Sequence, residues 1–155
     1  MRHCFLALAL LSAPAIVQAG ELTLSPATVS VDNGQQTAEI LLTYRPGATA
    51  VALEVNYAIN LDRLGWADVQ VAPSSSPDVR NWCVVVGGRV RAMVLSGSGN
   101  YLPAGTPIPL CRMRVRPHAH TTRGSYTISP ADVYEFDLYG NASPVATNAA
   151  RIVVF

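Results

Sequence analysis

The stretch that decides the fold is Trp82-Cys83-Val84-Val85-Val86-Gly87-Gly88-Arg89-Val90-Arg91-Ala92-Met93-Val94-Leu95. Two apolar runs flank a Gly-Gly pair, and a tight two-residue hairpin turn needs the positive φ values that glycine accepts. Strands are therefore expected over 82–86 and 89–95. The same grammar repeats on either side. Val51, Leu53, Val55 and Tyr57 point one way while Ala52, Glu54 and Asn56 point the other, the period of a half-buried strand. Ala38, Ile40, Leu42 and Tyr44 share a face of 36–44; Cys111, Met113 and Val115 share a face of 108–116. Shorter strands are expected at 22–24, 28–31, 66–71, 126–129 and 151–155, with an irregular strand region over 131–138. Turns fall at Asp32-Asn33-Gly34, Arg45-Pro46-Gly47 and 60–64, with loops at 73–77, 96–100, 103–107 and 117–124. No window carries a helical stripe longer than two turns. Eight or nine strands punctuated by Gly and Pro predict an all-β sandwich or barrel.

The amino terminus reads as an export signal. Met1-Arg2-His3 is a short basic region, Cys4 to Val17 is almost unbroken apolar sequence, and Val17-Gln18-Ala19 supplies the small-x-small pattern cut before Gly20. The expected organisation is a signal peptide over 1–19, cleaved between Ala19 and Gly20, and one domain over 20–155. That domain has 136 residues, enough for one real core. No later run approaches the roughly 20 apolar residues of a membrane span. The protein is expected to be secreted or periplasmic.

Charged residues make up 14% of the chain, with eleven Arg, no Lys and ten acidic residues. A balance near zero gives no general attraction to nucleic acid or membrane. The distribution is uneven: no acidic residue lies between Asp78 and Asp132, where seven Arg fall. Cys83 and Cys111 are the two cysteines left after processing, and an even pair in an oxidising compartment reads as a disulfide. Two buried free thiols are the alternative. A metal site is disfavoured because neither a second Cys pair nor a suitably spaced His accompanies them.

The order of features resembles a cohesin domain. Leu22 through Val31, Gly34-Gln35 and Ala38 to Leu42 are similar to its opening, two short strands ahead of a "pGq" turn and an alternating strand. Ala50 to Tyr57 followed by Asn60 to Leu64 resembles the next element, with Asn60-Leu61-Asp62 where that family carries Asp-Pro. The Gly-rich loop 96–100, the strand 108–115, Gly124-Ser125-Tyr126 and the apolar last strand follow in the same order. The resemblance covers nearly all of 21–155 and implies a nine-stranded jelly-roll β-sandwich, shared by cohesins and a group of carbohydrate-binding modules. Cohesins dock dockerin modules through one sheet face and assemble polysaccharide-degrading complexes. The resemblance thus implies a non-catalytic module whose partner is a protein module or a polysaccharide. A structural subunit of an envelope or secretion assembly is a third reading.

Carried onto this chain, the docking sheet comprises 51–57, 82–86, 89–95 and part of 125–139, with Glu54, Asn56, Trp82, Val84, Arg91 and Met93 outward. The alternative places Trp82 beneath the 73–81 loop. Cys83 and Val85 would face inward, opposite Cys111, an arrangement suited to a bridge between sheets.

Other candidates read more blandly. Arg112, Arg114 and Arg116 alternate onto one face about 7 Å apart, a spacing that suits an anionic polysaccharide or acidic partner. A cross-strand acid such as Glu39 would neutralise them. His118 and His120 lack a third ligand nearby in sequence, so no metal is expected. Gly97-Ser98-Gly99 lacks the spacing of a nucleophile elbow. Asp132, Glu135 and Asp137 are expected to form a solvated acidic edge, paired carboxylates for glycoside hydrolysis or a calcium site with Asn141 being weaker readings. No cofactor and no enzyme activity are expected.

Overall fold

The structure is a computed structural model that describes residues 19–30, 36–58 and 63–155. The leader over 1–18, the turn at 32–34 and the turn residues 60–62 lie outside the described residues. Among the described residues twelve strands follow one another: β1 (Glu21–Leu24), β2 (Ala27–Val29), β3 (Ala38–Arg45), β4 (Ala52–Ala58), β5 (Leu64–Val71), β6 (Val79–Val86), β7 (Arg89–Ser96), β8 (Ile108–Pro117), β9 (Gly124–Phe136), β10 (Ala142–Pro144), β11 (Ala146–Thr147) and β12 (Ala150–Val154). They form two sheets, ordered β11-β1-β3-β8-β5 and β2-β12-β9-β4-β7-β6, with β10 beside β9. No helix among the described residues is long and apolar enough to cross a membrane.

Alternation does the folding work. The inward residues Ile40, Leu42 and Tyr44 of β3, Met113 and Val115 of β8, Leu53, Val55 and Tyr57 of β4, and Val90, Ala92 and Val94 of β7 make one continuous core. The expected hairpin is present, with Gly87 and Gly88 both at positive φ, 57° and 74°. That pair of values gives the turn the twist its strands require. On β8 the alternation slips: Leu42 faces Cys111 and Thr43 faces Pro109, so Leu110 is an extra residue. The bulge lets Leu110 and Cys111 both be buried.

Three expectations are corrected. Twelve strands stand where nine were implied, because β10 and β11 add short rungs at the sheet margins. The segments expected at 126–129 and 131–138 are one strand, β9, of 13 residues. Pro130 lies inside it at the register break opposite Tyr57, where its missing N–H costs no regular rung. Val85 is 45% exposed despite lying on the inward side, and β6 is an edge strand with no neighbour on its far side.

Candidate docking face

The outer surface of the β9–β4–β7–β6 sheet is assembled by register. Glu54 faces Met93, Met93 faces Trp82, and on the other side Glu54 faces Tyr134. One row therefore runs Tyr134–Glu54–Met93–Trp82 across four strands. The next row is Asp132–Asn56–Arg91–Val84, and a third is Phe136–Ala52–Leu95–Arg80. Directly paired residues share a side, with Cβ atoms about 5 Å apart. All six residues that the resemblance placed on a docking sheet thus lie on one face, in two adjacent rows.

Apolar and charged side chains interleave on this face, with Trp82 and Tyr134 on the outer strands β6 and β9 and Glu54 and Arg91 on the inner strands β4 and β7. Trp82, Val84, Met93 and Tyr134 are each close to half exposed. Trp82 does not sit beneath the 73–81 loop. Acidic Glu54 and Asp132 stand on β4 and β9, whereas Arg80 and Arg91 stand on β6 and β7. Tyr134 was missed because Pro130 disguises the periodicity of β9.

The edge that carries Trp82 is anchored from behind. Cys83 on β6 and Cys111 on β8 form a disulfide with a Cα–Cα distance of 5.8 Å, joining the two sheets. Two residues earlier, Asn81 Nδ2 donates to the carbonyls of Ala72 at 2.7 Å and Pro109 at 3.1 Å. Trp66, partly buried on β5, donates its indole N–H to Gly88 O at 3.0 Å and so reaches the hairpin turn. A flat edge strand is thereby made a fixed platform.

The opposite outer face is different. Arg112, Arg114 and Arg116 point outward from β8 as alternation requires. Arg112 Nε lies 3.4 Å and Arg114 Nε 3.7 Å from the carboxylate of Glu39, so two of the three guanidinium groups share one cross-strand acid. His118 and His120 stack on each other with ring centroids 5.9 Å apart. Among the described residues no group of three metal-ligating side chains converges. Ser98 Oγ accepts from Asn100 Nδ2 at 3.1 Å and lies 3.3 Å from Ser96 Oγ.

The acidic edge expected over 132–137 is not one cluster. Asp132 is solvated on the face just described. Asp137 closes the β9–β10 turn, accepting from Asn141 Nδ2 at 2.8 Å and from the backbone N–H of Tyr139 and Asn141. The Asn141 side chain first, and its backbone next, hold the Asp137 carboxyl below the usual carboxylate range. Glu135 is buried between the sheets, because alternation along β9 turns it inward where Tyr134 turns outward.

No protein-family model matches the chain, and no curated protein matches it by sequence. Solved structures do match, and they are cohesin modules. A non-cellulosomal cohesin of the archaeon Archaeoglobus fulgidus superposes with a TM-score of 0.65 at 14% identity, over 88% of this chain and 91% of that one. The seventh ScaB type I cohesin of Pseudobacteroides cellulosolvens gives 0.69 at 11% identity, over 88% and 92%. A cohesin module from a family 33 glycoside hydrolase of Clostridium perfringens gives 0.63 at 17%, over 88% and 97%. The chain has the cohesin fold, a two-sheet all-β sandwich.

Proposed function

We propose that this protein is an exported, non-catalytic binding module that docks a protein partner through the β9–β4–β7–β6 face. The observation that carries the reading is the row Tyr134–Glu54–Met93–Trp82, a large apolar surface held rigid on an anchored sheet. An exposed Trp within a mixed apolar and charged patch is the composition of a binding hot spot. The charges on this face narrow the partner's chemistry. An apolar ridge with acidic residues toward β6 and β7 and basic residues toward β9 and β4 would complement Arg80 and Arg91 on one side and Glu54 and Asp132 on the other.

Cohesin structures solved with dockerins, among them a type I complex of Clostridium thermocellum, support a dockerin-like module as that partner. The cohesin module of a Clostridium perfringens family 33 glycoside hydrolase supports a role beside polysaccharide breakdown. The disulfide supports an oxidising compartment outside the cytoplasm.

The test is parallel capture from the exported fraction of the source organism with wild-type, Trp82→Ala and Arg114→Glu baits, followed by calorimetry on the purified partner. One protein is expected to be held by wild type and Arg114→Glu and released by Trp82→Ala. Capture indifferent to Trp82 would sink the reading. Retention on insoluble glycan that disappears with Trp82 would move it to a carbohydrate-binding module.

A further inference from the structure

Glu135 is the one buried carboxylate of the described residues, 7% exposed, and it sits where the two sheets meet near the start of β1. Its Oε2 accepts from the Tyr44 hydroxyl at 2.7 Å and the Gly47 N–H at 3.3 Å; its Oε1 accepts from the Gly20 N–H at 3.3 Å. All three described donors are neutral. A carboxylate taken out of water ordinarily has a cation beside it, because desolvation of an unpaired charge costs several kcal/mol, on the order of the fold's own stability.

Gly20 is itself buried, and its fit is specific. A Cβ there would lie 2.1 Å from Glu135 Oε2 and 3.0 Å from the Tyr44 ring, so only glycine brings its nitrogen this close. Gly20 is also the residue that the leader pattern places first in the processed chain. Hydrolysis of the Ala19–Gly20 bond by a leader peptidase adds one water, leaving a carboxylate on Ala19 and an amine on Gly20 that is protonated at neutral pH.

We propose that processing after Ala19 turns the Gly20 nitrogen into a cation beside Glu135, so that the mature protein carries a buried ion pair between its α-ammonium and Glu135. The unprocessed chain has only an amide at that position. Processing therefore completes the core around Glu135. It also fixes β9, whose neighbouring residue Tyr134 stands on the outer face. The terminal pair holds whether or not that face docks a partner.

The chain contains no lysine, so after processing the α-amine is the protein's sole primary amine. The experiment exports the full chain with its own leader, weighs the product by mass spectrometry, then follows acetylation by an amine-reactive ester. A mass beginning at Gly20 is expected, with native labelling at least about tenfold slower than in denaturant, since a buried, paired ammonium reacts only on opening. A Glu135→Gln variant that keeps its β-sheet circular dichroism should label at close to the denatured rate. If that variant does not fold, the wild-type comparison alone decides. A different first residue, equal native and denatured rates, or slow labelling in a folded Glu135→Gln protein would each overturn the proposal.

Discussion

The two outer faces of the sandwich share one backbone geometry and carry opposite kinds of surface. On the β3–β8–β5 side Glu39 lies between Arg112 and Arg114, so the sheet neutralises its own charges across the strands. On the β9–β4–β7–β6 side the acidic residues stand on β9 and β4 and the basic ones on β7 and β6, and Trp82, Met93, Val84 and Tyr134 stand among them close to half exposed. The first face pairs two of its three arginines within the sheet, as solvent-facing sheets commonly do. The second leaves apolar area uncovered on strands that a disulfide and an asparagine hold still. Rigidity combined with uncovered apolar surface is what supports the second face as the proposed docking face.

The largest effect should come from cutting the support behind the proposed docking face. Removing the disulfide by Cys83→Ala with Cys111→Ala releases a 28-residue link and should cost about 3–4 kcal/mol in chemical denaturation. Amide exchange should accelerate first in β6 and β7 and leave β3 and β8 protected. Uniform acceleration of both sheets would break the contrast between them. Next comes Trp82→Ala, expected to weaken partner binding by about 2 kcal/mol, roughly thirtyfold, while moving stability by less than about 0.5 kcal/mol. A large loss of stability would mean that Trp82 packs with its own chain.

Smaller still is Arg114→Glu, which breaks a half-exposed pair and should cost less than about 1 kcal/mol without altering partner capture. The last prediction concerns the core common to both faces. Burial raises the hydroxyl pKa of Tyr57, and burial followed by the Glu135 hydrogen bond and charge raises that of Tyr44. A folded pKa above the unfolded value of about 10 means stability is intact below that pH and lost as pH rises past it. Phenolate absorbance from these two residues should therefore appear only as the fold opens, simultaneously for β3 and β4.

Much of this architecture was legible in the chain because burial on a sheet is periodic. In β3 and β4 one strand face is wholly inside, so Ile40, Leu42, Tyr44 and Leu53, Val55, Tyr57 betray their side by spacing alone. β10 and β11 are exposed along their length, and no alternation marks Ala142–Pro144 or Ala146–Thr147. Val85 obeys the alternation yet remains half exposed, because covering depends on the opposite sheet and not on its own strand. Glu135 was illegible for a further reason. Its donors lie 88, 91 and 115 residues away, and no local pattern announces a carboxylate that the tertiary fold will bury.

The order of strands has a mechanical consequence. β2, near the beginning of the domain, runs parallel to β12 at its end, with Ala27, Thr28 and Val29 against Ile152, Val153 and Val154. Tension drawn between the two ends of the domain pulls β2 backward and β12 forward along one common axis. The load then falls on the evenly spaced rungs of a parallel ladder together, in shear, instead of peeling them one at a time. A module that tethers a partner against drag outside the cell would meet that force along its strongest direction.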